Sequence, residues 1–393
     1  MNDKLYWIWL QQTLGISVSV RTDEIISYFG SARALYFAGE TEWRLSGVFT
    51  PKQIARLSNQ DLTKAKNILE TCVKNNWQTV TPDDGNYPSM LFKLPNFPLV
   101  LYVSGDLDCL KNKITVAVVG TREPTLNSSR VARKLSASIT RSGAVVVSGG
   151  ALGIDSSAHQ GALETGGKTV AVLGCGLDCT YPVANIALRK QISENGALVT
   201  EYPPGVQGVA RNFPIRNRII SGLSYGTLVI EAGERSGSLI TANYALEQGR
   251  DVFAVPGDIL FSGFTGANKL IRDGAKPVFS AIDVLGGYAM VYPELIDYEK
   301  IETTLNIDEK EVRPMSEQPD VKEAEPVVQK KAEPDGLSEN ARKVYRAFEN
   351  GGMQMEELIM KTGLSVSAFA CAMTELELFD LVELQAGKNY KLK

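Results

Sequence analysis

The chain of 393 residues is predicted to be an α/β protein with a mainly parallel sheet, preceded by a small helical domain and followed by a separate compact module. Three observations predict this. From Ile114 to about Gly287, short apolar runs alternate with helix-length amphipathic segments, the pattern of repeated βα units. Almost every apolar run ends in glycine, proline or another small residue: Gly120, Gly149-Gly150, Gly174, Pro203-Pro204, Gly233, Pro256-Gly257. The stretch from Tyr298 to Asp335 is charged, proline-bearing and poor in aromatic residues, so it cannot bury enough apolar surface to order itself and reads as a linker. The expected domains are 1–75, helical; 76–290, the α/β core with its entry segment; 291–335, linker; and 336–393, the C-terminal module.

In chain order, residues 1–75 carry apolar side chains at helical spacing, among them Ile25, Ile26, Phe29, Ile54, Leu57, Ile68 and Leu69. Leu14-Gly15-Ile16 and Ser46-Gly47-Val48 have the hydrophobic-Gly-hydrophobic form of helix-hairpin-helix turns. Few lysines or arginines flank them, so a packing module is preferred over a phosphate grip. Pro82, Pro88, Pro95 and Pro98 mark a connecting region, and Leu99–Val103 reads as a strand. Core strands are expected at Val116–Val119, Val145–Val147, Val170–Leu173, Ala197–Thr200, Leu228–Ile230 and Val252–Val255. After the linker, Ser338 caps a helix through Ala341, Val344, Tyr345 and Phe348, and a second passes through Leu358 and Ile359. Ser365 caps a third, and Leu381–Leu384 with Tyr390–Leu392 make a hairpin around Gly387. Three helices and a wing form a winged-helix domain.

Composition narrows the function. The net charge is −4, so no global basic field announces a nucleic-acid binder and any such site is a local patch. No run approaches the roughly 20 apolar residues of a membrane span, and MNDKLYWIWLQQ lacks the features of a signal peptide, so a cytoplasmic protein is expected. The five cysteines are scattered, and Cys175 and Cys179 have no second pair beside the lone His159, which argues against both a disulfide framework and a zinc site.

Several long motifs, in order across about half the chain, closely resemble the DprA/Smf family of bacterial natural transformation. They are Val116-Ala117-Val118-Val119-Gly120-Thr121-Arg122, Ser148-Gly149-Gly150-Ala151-Leu152-Gly153-Ile154-Asp155, Ala171-Val172-Leu173-Gly174-Cys175-Gly176-Leu177-Asp178, Glu201-Tyr202-Pro203-Pro204-Gly205, and the run from Asn212 to Gly257. The resemblance implies a Rossmann-like DNA-binding core, a helical domain of the sterile-alpha-motif (SAM-like) kind, and a winged-helix tail. It further implies sequence-independent binding of single-stranded DNA, protection of that DNA, loading of the RecA recombinase, and a homodimer. The chain departs from the commonest family pattern at Gly150, where leucine is usual, and at Gln160, Cys179 and Ile215, where basic residues are frequent.

In open α/β sheets the ligand crevice lies beyond the carboxyl ends of the strands, so the glycine loops should line one site. The first turn, Gly120-Thr121-Arg122-Glu123-Pro124-Thr125, lacks G-x-G-x-x-G, which argues against a dinucleotide cofactor; no cofactor is expected. Related Rossmann-like families hydrolyse nucleotides, and Asp155, Glu201, Glu231 and Glu234 keep a phosphoribohydrolase as the alternative. With His159 as the sole histidine there is no Ser-His-Asp or Cys-His set, and no catalytic residue is assigned. Arg122, Arg216, Arg218 and Arg235 are expected in strand-end loops or helix starts of one sheet face, where arginine can pair with phosphate and stack on a base. The expected DNA-binding set is Gly120, Arg122, Ser148, Gly149, Gly150, Asn212, Phe213, Arg216, Asn217, Arg218, Arg235, Ser236, Gly237 and Ser238. Lys168 joins it by resemblance alone. Phe213 and Tyr202 are candidate stacking surfaces.

Overall fold

The computed structural model describes residues 3–304, 336–348, 353–385 and 389–392. It divides into two compact units, Met1–Asn306 and Ile307–Lys393.

The first unit opens with five helices: α1 (Lys4–Leu14), α2 (Thr22–Phe29), α3 (Ala32–Leu45), α4 (Pro51–Leu57) and α5 (Thr63–Lys74). Helix α1 buries Tyr6, Trp7, Ile8, Trp9 and Leu10 in succession, so it is apolar all round and the others wrap it. Thr50 and Gln53 form a capping box at the start of α4, with Pro51 in the first turn.

Nine strands then form one sheet: β1 (Gln78–Val80), β2 (Leu101–Gly105), β3 (Thr115–Val119), β4 (Val145–Ser148), β5 (Thr169–Leu173), β6 (Ala197–Thr200), β7 (Gly226–Val229), β8 (Asp251–Ala254) and β9 (Lys276–Pro277). Their order is β1-β2-β6-β5-β4-β3-β7-β8-β9. From β6 to β9 all pairs are parallel, as expected; β1 and β2 add an antiparallel edge beside β6. The expected core strands appear within a residue or two of their sequence boundaries. Strand β3 is central, pairing through Val116 with Val146 of β4 and Gly226 of β7. From it the chain builds outward to one side through β6 and then crosses to the other with β7, which is the topological switch that opens a crevice at the strand ends.

Helices cover both faces. On one side α9 (Asn212–Gly222), α10 (Ser238–Glu247) and α11 (Thr265–Arg272) bury Ile219, Ile220, Ala242, Ala245 and Ala267. On the other lie α6 (Leu126–Arg141), α7 (Ile154–Glu164) and α12 (Ala281–Val291), with Leu135, Ile139, Ala158 and Leu285 buried. Helix α8 (Ile186–Asn195) flanks β5 and β6. Residues 291–304, expected to begin the linker, belong instead to this layer: Ile296 and Ile301 are buried against it and the Asp297 amide donates to the Ser142 carbonyl at 3.0 Å. Two isoleucines suffice to dock a segment whose charge suggested otherwise. The rest of the expected linker, 305–335, lies outside the described residues.

The second unit has α13 (Glu339–Ala347), α14 (Met355–Thr362) and α15 (Val366–Leu378), with β10 (Met353–Gln354), β11 (Val382–Gln385) and β12 (Asn389–Leu392) in the order β10-β12-β11. Ser338 and Ser365 cap α13 and α15 through their hydroxyls, and Ala341, Val344, Phe369, Met373 and Leu376 form its core. This is a winged-helix arrangement; the hairpin tip at Gly387 lies outside the described residues. Among the described residues no helix is long and apolar enough to cross a membrane.

Candidate nucleic-acid interface

The carboxyl ends of β3, β4, β5 and β7 surround a crevice of about 550 Å³ lined by Gly120, Thr121, Arg122, Asp155, Tyr181, Phe213, Arg216, Asn217 and the Ser236-Gly237-Ser238 turn, among others. A smaller recess beside it is lined by Gly149, Gly150, Gly174 and Cys175 and shares Arg122 and Phe213. Helix α9 supplies the far wall. Pro214 sits in its first turn, where a missing N–H costs nothing, and Phe213 and Arg216, three residues apart, face the same way.

At the mouth the Arg122 guanidinium lies 5.1 Å from the Phe213 ring centre, and Arg216 lies 5.8 Å from the same ring on the crevice floor. Arg122 is exposed; Arg216 is 4% exposed. Arg216 Nη1 donates to the carbonyls of Gly149 (2.6 Å) and Val172, and its Nε donates to Asn217 Oδ1 at 3.2 Å. Burial pulls the Arg216 pKa down to about 10, against the attraction of Asp155, so it stays cationic at neutral pH. Asp155 accepts from the amides of Gly149 (3.1 Å) and Ala151 (3.4 Å). Burial raises its carboxyl, opposed by Arg216 and those amides. Gly149 separates the two groups: a Cβ there would come within 2.6 Å of Asp155 Oδ2 and 2.8 Å of Arg216 Nη2. At Gly174 a Cβ would meet Phe213 Cδ1 at 2.8 Å, so glycine lets the ring seat against β5. The site thus presents an exposed arginine stacked on an aromatic ring, with a second, immobilised arginine beneath. Such a pair can hold a phosphate and a base without reading sequence.

The sequence-expected residues divide. Gly120, Arg122, Phe213, Arg216, Asn217, Ser236, Gly237 and Ser238 line the crevice, and Gly149 and Gly150 line its recess. Asn212 is a brace: its side-chain amide donates to the carbonyls of Gly174 and Gln207. Ser148 is wholly buried, its hydroxyl bonded to the Val118 carbonyl at 2.6 Å. Arg235 is exposed on the same sheet edge but outside the walls.

Three expectations are corrected. Arg218 does not face the crevice. It lies in α9, two residues and hence about 200° round from Arg216, is 2% exposed, and donates through Nη2 to both oxygens of Glu201 at 2.8 and 2.7 Å. Lys168 precedes β5, so it stands at the amino end of that strand, roughly 16 Å of strand away from the crevice edge. Tyr202 is likewise buried, with its hydroxyl donating to the Asn212 carbonyl at 3.2 Å, and offers no stacking face.

Of the acidic candidates, Asp155 lines the crevice, while Glu201 and Glu231 are engaged elsewhere. Glu201 holds Arg218; Glu231 accepts from the amide and hydroxyl of Thr125, both at 3.0 Å, and so anchors the start of α6. His159 is fully buried, 2.8 Å from Thr169 Oγ1. Because that hydroxyl donates to the Val146 carbonyl, it accepts from His159 Nδ1–H, which leaves Nε2 unprotonated and without a partner in the core.

Two contributors escaped the sequence reading. Tyr181 is 46% exposed at the rim with its ring centre 5.9 Å from Phe213; its aromatic character after the Gly174–Asp178 loop was the available signal. Arg189, buried on α8, donates to the carbonyls of Cys179 (2.6 Å) and Tyr181 and so fixes that loop; a mid-helix arginine gives no such signal.

The family model of DNA recombination-mediator protein A matches residues 78–289, and that of the DprA winged helix domain matches residues 328–388. The Protein Smf of Synechocystis sp. is 33% identical over 406 residues, covering 99% of this chain and 99% of that protein. The chain belongs to the DprA/Smf family. The DNA processing protein DprA of Streptococcus pneumoniae is 46% identical over 205 residues, 52% of this chain and 72% of that one. The crystal structure of DprA from Streptococcus pneumoniae aligns with a TM-score of 0.64 at 36% identity, covering 72% of this chain and 97% of that chain. A DprA structure from Helicobacter pylori, described by its single-stranded DNA binding mode, aligns with a TM-score of 0.50 at 31% identity over 55% of this chain and 97% of that one. Membership makes this a DNA-processing protein with a family core and a family winged helix.

Proposed function

We propose that the chain binds single-stranded DNA without sequence preference in the crevice at the carboxyl ends of β3, β4, β5 and β7. The observation that carries this is Arg122 stacked on Phe213 above the immobilised Arg216, a cation and an aromatic face side by side at an open groove. The Helicobacter pylori relative, described as binding single-stranded DNA, supports the same chemistry here. Of the expected site, Gly120, Arg122, Phe213, Arg216, Asn217 and the Ser236–Ser238 turn would contact the strand; Asn212 and Ser148 would hold the walls. Protection of bound DNA, handover to the RecA recombinase, a homodimer and a cytoplasmic location complete the proposal and rest on family likeness. A dimer would place two crevices on one strand and raise avidity.

The rival reading, nucleotide hydrolysis, is disfavoured because Glu201 and Glu231 serve Arg218 and Thr125. The test is a titration of the full chain with labelled oligo-dT and a matching duplex at two salt concentrations, alongside an assay for base release from nucleoside monophosphates. Tighter binding of the single strand, weakened by salt, is expected. Equal binding of both forms with stoichiometric base release would replace the proposal with the rival.

A further inference from the structure

The rim of the crevice carries a second aromatic ring. Tyr181 is 46% exposed, and its ring centre lies 5.9 Å from that of Phe213 with the two planes inclined by 50°. Gly208 backs both rings: a Cβ there would come within 3.3 Å of Tyr181 Cδ1 and 3.6 Å of Phe213 Cζ. The turn that carries Tyr181 is held from behind. Its carbonyl accepts from Arg189 Nη2, and the side-chain amide of buried Asn185 donates to the carbonyls of Gly150 (3.0 Å) and Ala151 (3.1 Å). Phe213 is half-buried and already carries Arg122 and Arg216 at 5.1 and 5.8 Å from its centre, so Tyr181 is the more open of the two aromatic surfaces.

We propose that Tyr181 is a second base-stacking platform, and that with Phe213 it splays two neighbouring bases, so that the crevice selects single strands that stack weakly on themselves. This rests on the DNA-binding reading above. Bases stacked along a strand are parallel and about 3.4 Å apart. Two rings 5.9 Å apart and tilted by 50° cannot each take a base face while those bases stay stacked on one another. A strand entering the crevice therefore gives up a base–base contact and gains two base–ring contacts. Thymine runs, which stack poorly, lose little; adenine runs, which form a stacked helix, lose more. A duplex keeps its bases stacked and paired and is excluded. The bias is one of strand stiffness, since every base has a π-face that either ring accepts and no sequence is read. Phosphate pairing stays with the exposed Arg122, so the base and phosphate contributions separate in experiment.

The test titrates the full chain with labelled oligo-dT, oligo-dA and an abasic strand of equal length across a salt series. Wild-type protein should bind oligo-dT several-fold tighter than oligo-dA. Tyr181→Ala should weaken oligo-dT binding roughly tenfold and remove the preference over oligo-dA, while its affinity for the abasic strand and its salt slope stay those of the wild type. Tyr181→Phe should keep full affinity, because the ring is what a base stacks on. Both variants retain the backbone carbonyl that Arg189 holds. Equal binding of oligo-dT and oligo-dA by the wild type, a preference that survives in Tyr181→Ala, a loss that extends to the abasic strand, or a Tyr181→Phe protein as weak as Tyr181→Ala would each overturn the platform. If the platform fails while Arg122→Ala still flattens the salt slope, the crevice reading stands. Wild-type protein that binds none of the strands refutes that reading, and the platform with it.

Discussion

One helix presents two arginines to two quite different regions. On the crevice side of α9, Arg216 donates to backbone carbonyls beneath an exposed Arg122–Phe213 stack, with the Asp155 charge nearby. On the opposite side, Arg218 is sealed against Glu201, whose backbone carbonyl also accepts from Gln11 of α1 at 3.0 Å. The first region keeps a charge available at an open groove. The second uses a charge to fasten α9 to the segment after β6, and two of its donors, Arg218 Nε and Nη1, have no protein partner. Proximity in sequence to a binding motif does not confer its role; direction around the helix does.

The strongest way to break this distinction is to remove one half of the sealed pair. Glu201→Ala leaves a buried, uncompensated guanidinium and should cost about 3–5 kcal/mol of stability, measured by chemical denaturation. The double variant Glu201→Gln, Arg218→Met should recover most of that loss. If Glu201→Ala instead unfolds like the wild type but binds oligo-dT poorly, Arg218 belongs to the binding region after all.

The next effect is set by pH. His159 is held neutral by burial, with a smaller push from Arg216, and its pKa falls from 6.5 to about 3. The unfolded chain gains a proton near pH 6.5 that the folded chain refuses until about pH 3. Its contribution is therefore complete above 6.5 and is lost as the pH falls through that window, by roughly 1.4 kcal/mol per unit. Asp155, whose carboxyl is raised by burial, works in the opposite sense. As the chain has one histidine, a single imidazole proton resonance reports directly; its shift should stay flat from pH 8 to below pH 5, and titration near 6.5 would contradict the burial.

Within the crevice, Phe213→Ala should weaken oligo-dT binding by about 1–3 kcal/mol through lost stacking. Arg122→Ala should flatten the slope of log affinity against log salt by about 0.7, one phosphate contact. Both should leave the denaturation midpoint close to that of the wild type. An Arg122→Ala protein with an unchanged salt slope would move the phosphate path elsewhere. The smallest effect is expected at Lys168. At the amino end of β5 and exposed, Lys168→Ala should change neither stability nor affinity by more than about 0.5 kcal/mol. A loss as large as that of Arg122→Ala would bring the opposite sheet edge into the binding path.

By itself the sequence determined the parallel core, the strands that end in glycine, the capped helices of the winged domain and the family. These are local or periodic properties: a buried parallel strand is a short apolar run, Ser338 and Ser365 cap within three residues, and the family motifs are contiguous. Only the tertiary structure decided which cations meet. The run from Asn212 to Gly222 is apolar and basic on all sides, so its helical period was hidden, and with it the turn of the chain that sends Arg216 and Arg218 apart. Lys168 resembled a site residue by its place in the sequence, yet which end of a parallel strand a residue occupies follows from the direction of the strand. The antiparallel edge β1-β2, the docking of Ile296 and Ile301, and the brace from Arg189 to the Cys179 loop are pairings between distant segments. Such contacts exist only once the chain has closed on itself, because their energy comes from partners that no local window contains.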